Sequence, residues 1–314
     1  MRIVAASTLR ADYHHVERDL NAEPTATVRH MPDSPNSAGR DLRDLVDPVV
    51  VMAFGGWNDA GNAATGAIEH LAEAYQAQPV YALDPDDFYD FQVNRPRVSL
   101  TEDDDREITW PTTELKIAEL PDGRDLILVQ GLEPNLRWRQ FSTLIASALS
   151  SASVTRVHLL GALLADTPHT RPIPVSVSTG NRELMKKLGL APSTYEGPTG
   201  IIGVLADTLG RAGVEVLTLW SAIPHYVSHP PCPKATLALL SHLERVLNTS
   251  FDLGELTELA RAWERGVDEL AAEDSEVAEY VASLEQMQDA TELPEATGDA
   301  IAAEFERYLR RRQG

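Results

Sequence analysis

Apolar runs alternate with amphipathic segments along most of the chain. Residues 48–54 (PVVVMAF) form a short run rich in β-branched side chains, which is typical of a buried strand. Apolar side chains then recur at helical spacing from Ala64 to Tyr75. Residues 55–61 (GGWNDAG) lie between the two patterns, so the sequence predicts a strand, a glycine loop and a helix in that order.

The same alternation predicts the elements that follow. Further strands are predicted at 80–83, 125–131, 156–165 and 215–223, and further helices at about 137–150, at 200–213 and from Pro233 onward. Repeated strand and helix units of this kind predict an α/β fold with a mainly parallel sheet flanked by helices.

The pattern changes near residue 250, where only helical stripes remain. The stripes contain Leu256, Leu259, Trp263 and Leu270; Val277, Tyr280, Val281 and Leu284; and Ile301, Phe305 and Leu309. Residues 21–41, in contrast, are rich in Pro, Asn, Ser and Gly and predict a loop or arm. We therefore predict an N-terminal arm and loop at 1–47, an α/β domain at 48–250, and a small acidic all-helical appendage at 251–314.

The composition narrows the classes of partner. The 314 residues include 27 Lys and Arg against 48 Asp and Glu, a net charge of −21 that would repel nucleic acid and acidic membranes. Cys232 is the only cysteine, which excludes an intramolecular disulfide and is typical of a reducing compartment. Because no apolar stretch is long enough to cross a bilayer, we predict a cytoplasmic protein without a membrane partner.

Acidic residues are concentrated at the end of the chain. Residues 251–314 contain 17 acidic and 6 basic side chains, so half of the net charge lies in the last fifth of the sequence. We interpret these acidic residues as solvent-exposed side chains on the polar faces of ordinary amphipathic helices.

The glycine loop at 55–61 does not match the common phosphate-binding loops. A Walker loop would require Lys and then Ser or Thr after Gly61, where the chain has Asn62 and Ala63, and the Rossmann spacing of glycines is absent. The sequence therefore predicts no nucleotide cofactor. The loop is typical of a sharp turn in which Asn58 or Asp59 caps the following helix.

Two later loops carry histidines directly after predicted strands. In a parallel sheet, His169 of DTPHTRP (166–172) and His225 of PHYVSHPPCP (224–233) would emerge on the same edge as Asp59 and Glu133. Imidazole and carboxylate groups placed together can transfer protons. Loop histidines also serve as structural hydrogen-bonding residues, and the sequence pairs no nucleophile with these two.

Neither a reactive thiol nor a metal site is predicted. Cys232 precedes a helix that starts at Pro233, but we interpret it as a buried, inert thiol. The nine histidines are scattered and lack the accompanying ligands that a zinc site requires.

The side chains that follow the predicted strands, or precede the helix at 200–213, define a candidate rim for a ligand or a protein partner. This predicted rim comprises Gly56, Trp57, Asn58, Asp59, Glu133, Asn135, Arg139, His169, Arg171, Tyr195, Glu196, Thr199, His225 and Tyr226. Helix starts on this edge also present free amides that could bind an anion.

Several segments together resemble one known family. They are FGGWNDAG, DFYDFQVNRP, ITWP, GLEPNLRWRQF, PHTRP, YEGPTGI and LWSAIPHYVSHPPCPKATLALL. In this order they resemble the PAC2 family, named for proteasome assembly chaperone 2, and the likeness is greatest to its actinobacterial branch. The resemblance covers about residues 48–248 and implies a phosphorylase/hydrolase-like α/β fold, self-association and a role in proteasome assembly. It supplies no catalytic residues.

Two hypotheses of function follow. The favoured one is a non-enzymatic, self-associating chaperone or assembly factor without a cofactor. Its partners would be further copies of the chain, with a trimer among the options, and proteasome subunits. The alternative is a hydrolase or transferase that acts on a small anionic ligand at the predicted rim, since the fold resemblance extends to phosphorylases.

Overall fold

The computed structural model of the protein describes residues 28–30, 41–101 and 104–292. The strands in chain order are β1 (Val28–His30), β2 (Val49–Gly55), β3 (Gln78–Leu83), β4 (Arg97–Leu100), β5 (Arg106–Thr109), β6 (Glu114–Glu119), β7 (Asp125–Leu132), β8 (Arg156–Ala165), β9 (Val175–Ser178) and β10 (Glu215–Pro224). The helices are α1 (Ala63–Ala74), α2 (Trp138–Ser151), α3 (Arg182–Lys187), α4 (Ile201–Arg211), α5 (Pro233–Leu247), α6 (Leu256–Glu273) and α7 (Ser275–Glu292).

Eight strands form one mixed sheet in the order β1-β3-β6-β7-β2-β8-β10-β9. The four central strands, β7, β2, β8 and β10, are parallel, and the outer pairs are antiparallel. The central strands are mostly apolar and largely buried, as is typical of a parallel sheet covered by helices. The predicted sheet flanked by helices is therefore confirmed.

Helices cover both faces of the sheet. On one face α1, α5 and α6 bury side chains such as Leu71, Leu240 and Leu256. On the other face α2 and α4 bury Phe141 and Leu205 among others. This arrangement leaves the carboxyl-terminal edge of the central strands for loops, which is where open α/β sheets usually hold their functional groups.

The predicted helices at 137–150, at 200–213 and from Pro233 are observed as α2, α4 and α5. The loop predicted at 21–41 is wrong for Val28–His30, which pairs with β3 as an edge strand. The remainder of that segment up to residue 40, and the predicted stripe from Ile301 to Leu309, lie outside the described residues. The short elements β6, β9 and α3 were not predicted, because each is too brief or too polar to produce a clear period.

β4 and β5 form a separate two-stranded hairpin. All eight of its residues are exposed. Like the other short polar strands, it was not predicted from the sequence.

Candidate functional site

The loops that follow β2, β7, β8 and β10 share the carboxyl-terminal edge of the sheet, because these strands are parallel. Some of the predicted rim residues form two hydrogen-bonded groups there, and the two groups have different partners. One group surrounds the start of α4, and the other lies beneath the C-terminal helices.

Asp59 caps the first turn of α1. Its carboxylate accepts hydrogen bonds from the backbone amides of Ala64 at 2.7 Å and Thr65 at 3.3 Å, and from the Thr65 hydroxyl. Burial raises the pKa of Asp59, although these hydrogen bonds oppose the shift. The carboxylate therefore already occupies the position that an external anion would take at this helix start.

Glu133 fills the start of α4 in a similar way. Its Oε1 accepts a hydrogen bond from Asn58 Nδ2 at 2.7 Å and another from the Ile201 amide at 2.7 Å. A carboxylate is favourable here, because the amides at a helix start carry a partial positive charge. The two helix starts that the sequence offered to an anion are thus both occupied by side chains of the chain itself.

Asn58 is fully buried between these two loops. Its carbonyl accepts the Ala162 amide at 2.8 Å, so the backbone is fixed against β8. A Cβ atom at Gly200 would lie 2.1 Å from Asn58 Oδ1, and glycine at position 200 therefore makes room for the amide. Within the described residues Asn58 Oδ1 has no hydrogen-bond partner.

The neighbouring rim residues are more exposed. Gly56 has φ of 118°, a left-handed conformation that favours glycine, and the Trp57 side chain is 67% exposed. Asn135 Oδ1 accepts from the Asp90 amide at 2.9 Å and Asn94 Nδ2 at 2.8 Å, which fixes the segment before β4.

Arg139, Tyr195, Glu196 and Thr199 are all exposed. The Tyr195 hydroxyl donates to the Pro198 carbonyl at 2.7 Å, and this hydrogen bond lies within the turn at 195–198. None of the four contributes a side chain to either hydrogen-bonded group through a contact observed among the described residues.

His169 is buried and fully engaged. The Tyr226 hydroxyl oxygen accepts the His169 backbone amide at 2.8 Å and lies 2.7 Å from Nδ1. Burial raises the pKa of Tyr226 to about 12, so the hydroxyl keeps its proton at neutral pH. On the other side of the ring, Nε2 lies 3.0 Å from Asp268 Oδ1 of α6.

Side chains from α6 and α7 cover the rest of this loop. Arg171 donates to both carboxylate oxygens of Asp289 at 2.8 and 2.9 Å, and it also contacts Glu285 at 3.2 Å. The hydrogen bonds from Arg171, and to a smaller extent its charge, lower the pKa of Asp289. His225 lies 3.2 Å from Asp166 and packs edge-to-face against the rings of Tyr226 and Tyr280. We name loop 166–172 together with His225 and Tyr226 the covered rim.

Cys232 is buried next to Gly61, and burial raises the pKa of its thiol to about 11. A thiol with this pKa is protonated at neutral pH and is a poor nucleophile. In the part of the chain that the structure describes, no group of three or more His, Cys, Asp and Glu side chains could hold a metal ion. Searched over the same residues, no helix has the length and apolar character needed to span a membrane.

The sequence model of the PAC2 family matches residues 53–271, which is more than half of the chain. The chain belongs to the PAC2 family. This match ends within α6, so the α7 residues that contact Arg171 lie outside the matched residues. No curated protein sequence matches the chain significantly.

Solved structures of PAC2 proteins have the same fold. A PAC2 family protein from Streptomyces avermitilis is 53% identical with a TM-score of 0.72, and the match covers 75% of this chain and 100% of that one. A proteasome-assembly chaperone homologue from Mycobacterium tuberculosis is 48% identical with a TM-score of 0.69, covering 74% and 99%. An archaeal proteasome activator from Pyrococcus furiosus is 17% identical with a TM-score of 0.59, covering 78% and 98%, and this likeness shows the fold alone.

The sequence of this PAC2 protein did not predict which residues contact the covered rim. Asp268, Glu285 and Asp289 belong to the acidic segment that we interpreted as solvated helix surface, yet all three bind the loop after β8. The excess of acidic residues at 251–314, together with Arg171 in the loop after β8, indicated that ion pairs could form between them. It did not identify which carboxylates take part.

Replacing Arg171 by Met is expected to loosen α7 without unfolding the sheet. The substitution removes the contacts to Asp289 and Glu285, which are the charged links between α7 and the loop after β8. Amide hydrogen exchange in residues 275–292 should become roughly threefold to tenfold faster, as expected for the loss of partly exposed ion pairs. Exchange in the central strands should not change.

Arg211→Met is the matched control, since Arg211 forms an exposed ion pair with Asp207 inside α4. It should leave exchange in α7 unchanged. Equal exchange of α7 in the wild type and in Arg171→Met would show that these ion pairs do not hold the helix.

Proposed function

We propose that this PAC2 protein is a non-enzymatic, self-associating assembly factor that binds proteasome subunits. The observation that carries the proposal is its 48% identity to the proteasome-assembly chaperone homologue of M. tuberculosis over 99% of that protein. Partnership with proteasome subunits would also entail the cytoplasmic location that the sequence predicts.

The arrangement of the rim supports binding rather than catalysis. Three of the four groups that could transfer protons are engaged in structural contacts: Asp59 and Glu133 cap helices, and His169 is buried beneath α6. The fourth, His225, is exposed and lies 3.2 Å from Asp166. An anionic substrate would meet carboxylates at both helix starts, and their charge would repel it. The hydrolase or transferase alternative therefore gains no support from this geometry.

The uncovered part of the rim offers an apolar contact surface. The exposed apolar side chains near these strand ends include Trp57 after β2, Leu132 at the end of β7, and Leu163 and Leu164, which project from opposite faces of β8. Exposed apolar side chains are frequent in protein interfaces, and tryptophan is common among interface hot spots. We propose that a proteasome α-subunit binds this surface.

The proposal is tested by co-expressing the full-length protein with actinobacterial proteasome α- and β-subunits. We expect native mass spectrometry to detect a complex with α-subunits and a higher yield of assembled particles than without the protein. Trp57→Ala should weaken the complex about 10-fold or more, because it removes an exposed aromatic anchor. The control Tyr195→Ala removes a similarly exposed aromatic side chain and should have little effect.

Two results would overturn the proposal. One is the absence of any complex with proteasome subunits, and the other is particle yield that does not depend on the protein. Turnover of a small anionic substrate that is lost in Glu133→Gln would instead favour the enzyme alternative.

A further inference from the structure

The connection between α6 and α7 is a single residue. α6 ends at Glu273, α7 begins at Ser275, and Asp274 between them has an extended backbone, with φ of −124° and ψ of 112°. The Asp274 carboxylate accepts hydrogen bonds from the amides of Glu276 at 2.9 Å and Val277 at 3.4 Å, so it caps the first turn of α7. Residues at the ends of elements are the usual hinges of moving segments, and Asp274 has this position.

α7 contributes little to the core. Among residues 275–290, Val281 and Leu284 alone are buried, and neither belongs to the two core clusters that pack on the sheet. α6 differs, because Leu256 is part of the core beside α5 and Trp263 packs against it. Helices with few buried side chains open more easily than the core of a fold. We therefore expect α7 to open at a lower free energy than α6 or the sheet.

Polar side-chain contacts hold α7 on loop 166–172. The Arg171 guanidinium donates to both carboxylate oxygens of Asp289, and the Thr167 hydroxyl donates to Gln288 at 3.3 Å. The side chains of Arg171 and Asp289 are 32% and 49% exposed. Ion pairs with this exposure contribute little to stability, so they exchange with water at a small cost in free energy.

An aromatic side chain of α7 covers the loop after β10. The Tyr280 ring packs edge-to-face on the rings of His225 and Tyr226, with centroids 5.5 and 6.1 Å apart. Its hydroxyl donates to Asp166 at 3.0 Å. Opening of α7 would withdraw Tyr280 from both rings and would also uncover loop 166–172.

We propose that α7 is a strap that opens as a unit about Asp274 and controls access to the covered rim. In the open state α7 loses its helix, because a detached helix of 18 residues is at most marginally stable in water. α6 and the sheet keep their structure. This device goes beyond the proposed function, since it concerns the covered rim and not the surface around Trp57. Each of the two proposals can therefore fail without the other.

A thiol placed beneath α7 measures the opening. Thr167 is 4% exposed, so Thr167→Cys in the full chain should react with a small neutral maleimide only when α7 opens. Cys232 is the only native cysteine and is buried, and its thiol has a pKa raised to about 11, so the wild type supplies a slow background rate. Adding Arg171→Met should accelerate the labelling of Thr167→Cys about threefold or more, because it removes the ion pairs that close the strap.

Asp289→Asn tests whether the ion pair itself closes the strap. It should accelerate labelling by a factor similar to that of Arg171→Met. In the Arg171→Met background it should add little, since both substitutions break the same contact. Glu279→Gln is the matched control, because it removes one exposed carboxylate from the same helix, and it should leave the labelling rate unchanged.

Amide hydrogen exchange distinguishes opening as a unit from fraying. In Arg171→Met, residues 276–279 and 285–290 should exchange faster by the same factor, while exchange in α6 stays at the wild-type rate. Acceleration confined to residues 285–290 would show that α7 only frays from its end, which contradicts the hinge at Asp274. Equal labelling of Thr167→Cys with and without Arg171→Met would overturn the strap, and so would acceleration that extends to α6 and the central strands.

Discussion

Gly200→Ala is expected to destabilise the protein by about 3 kcal/mol, although it adds a single methyl group. The new Cβ would lie 2.1 Å from Asn58 Oδ1, and the Asn58 side chain is fully buried. To move away, Asn58 would have to break its hydrogen bond to Glu133, which also holds the Ile201 amide. The free-energy costs of overpacking and of losing a buried hydrogen bond therefore add together.

Urea denaturation at neutral pH measures this effect. Gly210→Ala in the same helix is the control, because no atom lies within 4 Å of the Cβ position and the exposed site lies near the end of α4. It should stabilise the protein by up to about 1 kcal/mol, since alanine is the better helix former. In an Asn58→Ala background, the penalty at position 200 should largely disappear. Equal stabilities of the two glycine variants would refute the steric explanation.

Acid is expected to destabilise the protein through His158. This residue is buried in β8, its Nδ1 donates to the Val50 carbonyl at 3.0 Å, and its Nε2 has no partner among the described residues. Burial lowers its pKa from 6.5 to about 4, because the protonated ring would be a buried charge without an acceptor for its second proton.

The direction of the effect follows from the difference in pKa between the folded and unfolded states. Above pH 6.5 neither state binds the proton, so the shift has no consequence. As the pH falls towards 4, the unfolded state binds a proton that the folded state excludes, and stability decreases by a total of about 3 kcal/mol. Between pH 7 and pH 5 the loss from this group should be about 2 kcal/mol.

Denaturation curves for the wild type and His158→Leu at pH 7, 6 and 5 test this expectation. The variant should lose less stability than the wild type over this interval, whatever its stability at pH 7. His229→Gln, a change at an exposed loop histidine, should follow the wild type. Parallel pH dependence of His158→Leu and the wild type would show that other groups cause the acid sensitivity.

Much of the fold could be predicted because its central elements are locally encoded. β2 and the first part of β7 are buried on both faces and form continuous apolar runs, and β8 and β10 are mostly apolar. The outer strands escaped prediction for the opposite reason. β6 has the sequence ELKIAE and is only partly buried, so its pattern does not differ enough from that of a loop or helix.

The predicted rim shows the same division between local and long-range information. Asp59 was recognised as a helix cap because its partners, Ala64 and Thr65, are five and six residues away. The partners of His169 could not be predicted, since Asp268 is 99 residues away along the chain. Pairing over that distance depends on how α6 packs on α5, which no local pattern contains.

The sequence by itself determined the α/β fold, the PAC2 family and the capped glycine turn, because these depend on periodicity, composition and short segments. Only the tertiary structure decided that Glu133 fills the start of α4 and that the C-terminal helices cover His169 and Arg171. Hydrogen bonds and ion pairs need atoms within about 3 Å in a defined direction, and such contacts between distant segments exist only once the chain has packed.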